Sequence, residues 1–300
     1  MLKRRTSRRV PPGLAKPRHP PPPQCTHHLR DEVLPDPVVR AAVAVELVEM
    51  RRFTFGICAV LALAGCGLRA SASSTTSLPP PTTTVSPETI QASGQRSGPP
   101  TVAAQKKLLQ IGFWLSATDG RFEDTTRQAV MAFQKYYRLK PTGSISAGTA
   151  YLLDQVSTPA TAFTQEGTLA EVDKQRQLLF LIQEGKTIAV LNASTGDDRE
   201  YEEPDANTPG VIIRGVALTP EGTFAIDRER PDGWWIGDLG QIYRPKYFIG
   251  GVAIHGSTSV PAYPASHGCV RVSVAAMDMI WEEELLPRGT TVVVHGGSLT

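Results

Sequence analysis

Cysteine is scarce in this chain of 300 residues, which has four: Cys25, Cys58, Cys66 and Cys269. If the chain is cut before Cys66, two cysteines remain, and they lie at opposite ends of the product. Such a pair does not suggest a disulfide framework. In an exported protein, a lone distal cysteine instead favours a free, reactive thiol.

The chain also lacks a strong net charge, which is +2 at pH 7. The basic excess lies in residues 1–65, where 11 Lys and Arg oppose 5 Asp and Glu. Residues 66–300 carry 20 basic and 24 acidic side chains and are net acidic. We therefore expect no nucleic-acid partner.

No apolar run is long enough for a predicted membrane span. The stretch Phe53–Ala64 has 12 residues, whereas a spanning helix needs about 20. It follows Met50-Arg51-Arg52, and a basic segment before a short apolar one is typical of a secretory signal peptide. The stretch ends in Leu63-Ala64-Gly65-Cys66, which resembles the bacterial lipobox. That resemblance implies cleavage before Cys66, lipidation of its thiol and an anchor on the outer face of the cytoplasmic membrane.

Two low-complexity segments flank this signal. Residues 1–49 are rich in Pro and Arg, and we interpret them as a disordered tail or an over-extended gene model with Met50 as the start. Residues 66–100 are rich in Ser, Thr and Pro, a composition typical of a flexible tether. The signal peptide is assigned to residues 50–65.

Residues 101–156 have a helical pattern. Apolar spacing predicts a helix in 101–114, a second from about Asp124 to Tyr137 and a third over Ser146–Leu153. Asp119-Gly120 and Pro141-Thr142-Gly143 mark the turns between them. The run from Leu108 through Asp119-Gly120-Arg121-Phe122 to Leu152 resembles the peptidoglycan-binding type 1 domain. The resemblance implies a three-helix bundle that binds cell-wall glycopeptide.

Residues 168–296 contain many short strand patterns. LLFLI and TIAVL are separated by Glu184-Gly185 and predict a hairpin, and YFIGGVAIH at 247–255 predicts one strand. Val274–Leu285 predicts a helix and Thr290–His295 a final strand. Such a pattern favours a mainly β sandwich or barrel.

The candidate chemistry lies at His255-Gly256 and in PASHGCVRVS at 264–273. A neighbouring histidine lowers the pKa of a thiol and yields thiolate, so a Cys–His pair can perform acyl transfer. Gly268 would let a carbonyl approach backbone N–H groups. Composition and spacing leave two alternatives open: Cys269 as a buried apolar filler, and a zinc site of His255, His267 and Cys269.

Ser266-His267-Gly268-Cys269-Val270-Arg271, preceded by His255-Gly256, resembles the signature of the YkuD-type L,D-transpeptidase catalytic domain. Thr219–Phe224 and Ser194-Thr195-Gly196 resemble other parts of that family. Ten residues separate His255 from Ser266, fewer than in many members, which affects the segment expected to cover substrate. The resemblance implies that Cys269 is the nucleophile and that His255 is its base and ion-pair partner, oriented by the backbone carbonyl of Gly256. It also implies supporting roles for the rest of the motif. His267 and Gly268 would shape the loop and the oxyanion hole, Arg271 would support the loop and contact the donor peptide, and Ser266 is the first residue of the motif.

The implied reaction is acyl transfer without a metal or organic cofactor. Cys269 would attack a donor tetrapeptide stem after its third residue, release D-Ala and pass the acyl group to an acceptor stem as a 3→3 cross-link. The resemblance also implies acylation by carbapenems. Two alternatives remain: an L,D-carboxypeptidase or exchange enzyme using the same acyl-enzyme, and a non-catalytic wall-binding lipoprotein. The predicted fold is multidomain α+β, with a three-helix peptidoglycan-binding bundle before a mainly β YkuD-like domain.

Overall fold

A computed structural model describes residues 89–297 of the chain. The predicted signal peptide, Cys66 and residues 1–49 lie outside the described residues. Within 89–297, every helix is too short or too polar to span a bilayer.

Three helices form the N-terminal module: α1 (Pro99–Gln110), α2 (Asp124–Tyr136) and α3 (Ala147–Gln155). Prolines occupy the first turn of α1, where their missing N–H leaves no hydrogen bond unmade. Ser146 caps α3 by accepting the Thr149 N–H at 3.2 Å. All three predicted helices are present, with shifts of one to a few residues at their ends.

Residues 89–98, which composition assigned to the tether, pack against these helices. Ile90 is buried, and its N–H donates to Asp154 Oδ1 at 3.0 Å. Gly94 and Ile145 exchange backbone hydrogen bonds of 3.0 and 2.9 Å. The folded part of the chain therefore begins before the predicted boundary at residue 101.

Twelve strands and one more helix follow. They are β1 (Leu169–Asp173), β2 (Leu178–Gln183), β3 (Lys186–Asn192), β4 (Glu200–Pro204), β5 (Ile212–Val216), β6 (Gly222–Ala225), β7 (Arg228–Glu229), β8 (Trp234–Gly237), β9 (Gly240–Ile249), β10 (Val252–Ser257), β11 (Val270–Ser273), α4 (Val274–Glu282) and β12 (Thr291–His295).

The strands form two larger sheets and a hairpin. The first sheet has the order β3-β2-β1-β12-β6, and the second has the order β11-β10-β9-β7 with β8 also paired to β9. β1 pairs β12 in parallel, and β10 pairs β11 in parallel. β4 and β5 form a separate two-stranded ribbon. α4 packs against the apolar core between the two larger sheets. Most elements of the domain are strands, so it is mainly β, as predicted.

The position of β2 between two apolar cores explains why its sequence, LLFLI, is apolar throughout instead of alternating. Leu178, Phe180 and Ile182 face the module's core, whereas Leu179 and Leu181 face the second sheet. Successive strand side chains point to opposite faces, so a strand covered on both sides must be apolar throughout. The helical module thus covers the outer face of the first sheet.

The stretch at 247–255 is two strands, and the prediction of a single strand is wrong. β9 ends at Ile249 and β10 begins at Val252, with the chain reversing at Gly250-Gly251. Gly250 has φ of +52°, a conformation that glycine adopts without steric cost. The reversal brings His255 back along Tyr243 and Tyr247 of β9.

Polar side chains of α2 tie the module to the rest of the molecule. Lys135 Nζ donates to the carbonyl oxygens of Gln177 at 3.0 Å and Ala193 at 3.1 Å. Asn192 Nδ2 donates to Gln128 Oε1 at 2.6 Å and to the Val260 carbonyl at 3.2 Å. Val260 lies in the segment that leads from β10 to the cysteine loop.

Candidate active site

A groove of about 790 Å³ is lined by residues from several strands of the second sheet and from the loop before β11. His255 of β10 pairs in register with Arg271 of β11, and Cys269 lies two residues before Arg271. Strand residues two apart point to the same face, so the fold places these three side chains along one wall. The residues discussed below that line the groove are Tyr201, Leu218, Arg228, Arg230, Trp235, Asp238, Tyr247, Gly251, His255, Ser266, His267, Cys269 and Arg271.

The imidazole of His255 is oriented by its neighbour's backbone. Nδ1 lies 2.8 Å from the Gly256 carbonyl oxygen. Because a carbonyl can only accept, Nδ1 carries the proton and Nε2 has the free lone pair. The pKa of His255 is lowered to about 4, mainly by burial; the Gly256 contact opposes this shift, and nearby Arg271 adds to it. His255 is therefore a neutral base at neutral pH.

The Cys269 thiol is partly exposed to the groove and belongs to no disulfide. Sγ lies 3.7 Å from the Gly251 carbonyl oxygen, toward which the thiol donates. Burial of the sulfur raises the pKa of Cys269, while the Ala253 backbone and Arg271 act in the opposite direction. The thiol and the imidazole that line this groove are thus both uncharged before substrate binds, rather than a preformed ion pair.

Ser266 and Gly268 close the loop that carries the cysteine. The Gly268 N–H donates to Ser266 Oγ at 3.1 Å, and the Ser266 hydroxyl donates to the Cys269 carbonyl. Gly268 has φ of +129°, and a Cβ there would lie 2.7 Å from the Leu218 carbonyl oxygen. Since the Gly268 N–H is used within the loop, it is not free to bind an oxyanion in this conformation.

Residues of the upstream turn and hairpin hold this loop from behind. Thr219 Oγ1 donates to the Gly268 carbonyl at 2.6 Å and accepts the Gly196 N–H at 2.9 Å. The Thr195 carbonyl accepts the N–H groups of Ala265 and Ser266. The sequence resemblance pointed to these segments but not to their contacts with the cysteine loop.

His267 packs against the β4–β5 ribbon. Its ring packs edge-to-face against the Tyr201 ring, with 4.8 Å between the ring centroids, and its Nε2 lies 3.9 Å from Glu203 Oε1. Among residues 89–297, no three His, Cys, Asp or Glu side chains are grouped as metal ligands. The zinc alternative for His255, His267 and Cys269 therefore has no support from the geometry.

The aromatic residues before the site divide between groove and scaffold. Trp235 and Tyr247 line the groove. Tyr243 instead packs below Gly256 and donates its hydroxyl to Asp278 at 2.9 Å, and Trp234 packs on Tyr243. Sequence reasoning missed two arginines in the groove, Arg228 and Arg230, because a two-residue strand gives no pattern to detect.

The fold and the groove define a mainly β domain with a cysteine and a histidine on one wall, covered by a helical module. Residues 167–294 match the family model of the L,D-transpeptidase catalytic domain, YkuD. Residues 97–153 match the model of a peptidoglycan binding domain.

A solved structure supports this assignment. An L,D-transpeptidase from Xylanimonas cellulosilytica is 39% identical with a TM-score of 0.60, and the match covers 66% of this chain and 94% of that one. One from Stackebrandtia nassauensis is 21% identical with a TM-score of 0.41, covering 72% and 99%. No curated protein matched the chain. The chain belongs to the L,D-transpeptidase family, with a peptidoglycan-binding module before the catalytic domain.

Proposed function

We propose that this chain is a cysteine L,D-transpeptidase that forms 3→3 cross-links between peptidoglycan stems. The observation that carries the proposal is the position of Cys269 and His255 in one groove, with His255 Nδ1 held by the Gly256 carbonyl. That contact leaves Nε2 as the nitrogen that can take the thiol proton. The family membership supplies the reaction class.

In the first step the Cys269 sulfur attacks the carbonyl carbon of the third residue of a donor tetrapeptide. As the S–C bond forms, the thiol proton passes to His255 Nε2, which is neutral and can accept it. The C–N bond to the terminal D-Ala breaks, and the imidazolium returns the proton to the leaving amine. A thioester on Cys269 remains.

In the second step an amine of an acceptor stem attacks the thioester carbon. His255 takes a proton from the attacking amine and returns it to the sulfur as the C–S bond breaks. The products are an amide cross-link and the free thiol, so atoms and charge balance without a cofactor. Water in place of the amine gives the carboxypeptidase reaction.

The loop places backbone groups near the reacting carbonyl. With the Gly268 N–H donated to Ser266 Oγ, the backbone N–H of Cys269 is our candidate for binding the oxyanion. Arg271, on the same wall, favours the negative charge that develops on oxygen and sulfur. His267 shapes the mouth of the groove through Tyr201.

We place the enzyme outside the cytoplasmic membrane, anchored by lipid on Cys66. The lipobox-like segment and the Ser/Thr/Pro-rich tether support this location, and the peptidoglycan-binding module suits a polymer above the membrane. Labelling with a radioactive fatty acid tests the anchor: wild type should incorporate label, and Cys66→Ala should not.

Incubation of the protein with purified tetrapeptide-stem muropeptides, followed by mass spectrometry, tests the reaction. Cross-linked dimer with release of D-Ala is the expected result. Tripeptide product alone would assign a carboxypeptidase instead. Absence of D-Ala release together with absence of a carbapenem adduct on Cys269 would leave only a non-catalytic wall-binding protein. Cys269→Ala should lose the adduct and keep the fold.

A further inference from the structure

Two arginines at the groove are left unexplained by the reaction above. Arg228 of β7 and Arg230, just after it, alternate with Glu229, so the two arginines point to one face and the glutamate to the other. Glu229 pairs with Lys246 Nζ at 2.6 Å on that other face. Both guanidinium groups line the same groove as Cys269.

Aromatic rings fix the direction of both side chains. The Arg230 guanidinium lies 3.7 Å from the centre of the Trp235 ring, and that of Arg228 lies 4.0 Å from the centre of the Tyr247 ring. Stacking of this kind leaves the edge of a guanidinium free to donate hydrogen bonds. The arginines are therefore held in place before any ligand binds.

Arg230 has a buried donor without an acceptor. Its Nε is shielded from solvent and has no hydrogen-bond partner in the described part of the protein. A buried N–H of a charged group that stays unpaired is costly, and such groups in folded proteins usually find a partner. An acceptor supplied by a ligand in the groove reaches Nε only after a shift of the Arg230 side chain, so the unpaired donor marks a polar group that the folded chain leaves unsatisfied.

The arginines lie close to the nucleophile. Arg228 Nη2 donates to the Gly250 carbonyl at 3.2 Å, and the Cys269 thiol donates to the next carbonyl, that of Gly251, at 3.7 Å. Contacts with adjacent carbonyls of one turn place the guanidinium within about 12 Å of Sγ. A carboxylate one residue beyond an attacked carbonyl would lie at most roughly 8 Å from the sulfur, a distance comparable with that bound.

The charge of the groove fits an anion. Among the described residues that line it, Asp238 is the one acidic side chain, and it accepts a hydrogen bond from Asn207 Nδ2 at 3.0 Å. Arg228, Arg230 and Arg271 oppose it. A donor stem that ends in a free D-Ala carries its carboxylate one residue past the bond to be broken.

We propose that Arg228 and Arg230 form a subsite that binds the terminal carboxylate of the donor stem, on the D-Ala that leaves. This inference rests on the proposed function. The two guanidinium groups would anchor that carboxylate and so favour a donor with a free terminus over one whose terminus is blocked.

The test compares three synthetic donors with the full chain: one with a free terminal carboxylate, one with a terminal carboxamide, and one with a free terminus but amidated internal carboxylates. Wild type should use the free-terminus donors about 10- to 100-fold better than the terminal carboxamide, as a charged hydrogen bond predicts. Arg228→Gln and Arg230→Gln should each reduce this preference for free-terminus donors toward one, because the KM for those donors rises. Arg230→Lys keeps the charge and should restore part of the preference. Arg288→Gln, an exposed change outside the groove, should keep the full preference.

The outcomes separate the subsite from the reaction. Equal use of free and amidated termini by wild type overturns the subsite and leaves the transpeptidase intact. If wild type uses only the internally amidated donor poorly, the arginines bind an internal carboxylate of the stem, and the assignment to the terminal carboxylate is overturned. An equal loss on all donors in both Gln variants means that the arginines only support the fold. Absence of product from every donor overturns the function and the subsite together.

Discussion

At the scale of single residues, the site depends on the burial of one imidazole. The same burial that orients His255 against Gly256 also removes its charge, because a buried cation loses its hydration. The sequence suggested a preformed thiolate–imidazolium pair. The raised pKa of Cys269 and the lowered pKa of His255 favour a neutral pair instead, an uncharged thiol and an uncharged imidazole in one groove.

This arrangement predicts an unusual pH profile for acylation of Cys269. Because the pKa of His255 is lowered to about 4, the base stays unprotonated as pH falls from 8 to 5, and the rate should change little over that range. The rate should reach half its plateau near pH 4. The measurement is the carbapenem acylation rate by mass spectrometry, with circular dichroism to verify folding at each pH. A fall centred near pH 6.5, the ordinary histidine value, would contradict the neutral-pair account.

Replacing the base gives the matched control for that profile. His255→Gln keeps a side chain that can donate to Gly256 but cannot take the thiol proton. We expect the acylation rate to fall by roughly 10²- to 10⁴-fold, and the step near pH 4 to disappear.

At the scale of elements, the sequence predicted those whose pattern is local. Helices α1 to α3, the β2–β3 hairpin and α4 were found where apolar spacing and turn residues placed them. The reversal at Gly250-Gly251 was missed because both flanking segments are apolar, and two paired buried strands read as one. β7 was missed because two residues carry no periodicity.

The candidate site was predictable in part for a related reason. His255, Ser266, Gly268 and Cys269 lie in compact motifs that a sequence displays directly. The contact of Thr219 with Gly268 joins positions 49 residues apart, and only the fold brings them together.

An ion pair between two interior strands of the first sheet, β1 and β12, is a testable element of stability. Glu171 of β1 is buried, and its carboxylate lies 3.1 Å from His295 Nε2 of β12 and accepts the N–H groups of Phe163 and Thr164. Burial alone would raise the pKa of Glu171, but contacts with His295, Thr164 and Phe163 together lower it to about 2. The interaction of its imidazole N–H with the Glu171 carboxylate, which accepts, raises the pKa of His295.

The two shifts set a pH window. The Glu171 contribution is complete above its ordinary pKa of 4.5 and is lost as pH falls toward 2. The His295 contribution is complete below its ordinary pKa of 6.5 and is lost as pH rises through the raised value.

Glu171→Gln should therefore lower the free energy of unfolding by about 1–3 kcal/mol at pH 5.5, and by less at pH 9. Urea unfolding at both pH values measures this, with exposed Glu200→Gln as the control. An equal loss at both values would mean that His295 contributes nothing through its charge.

At the scale of the whole molecule, the peptidoglycan-binding module is part of the catalytic domain's structure. It covers one face of β2 through Leu178, Phe180 and Ile182. Its helix α2 also reaches the segment before the cysteine loop, since Gln128 contacts both Asn192 and the Val260 carbonyl. A tethered module that only increased the local concentration of substrate would not need these contacts.

Gln128→Ala tests this coupling. Asn192 Nδ2 would lose the Gln128 acceptor inside the interface, so the free energy of unfolding should fall by about 1–3 kcal/mol. Residues 89–297 should still unfold in a single transition, because the two domains share an apolar core. The carbapenem acylation rate should also fall, since Val260 precedes the loop that positions Cys269. Gln155→Ala, at an exposed position of α3, should change neither quantity. Two separate unfolding transitions, or an acylation rate identical to wild type in Gln128→Ala, would show that the module binds the wall without shaping the site.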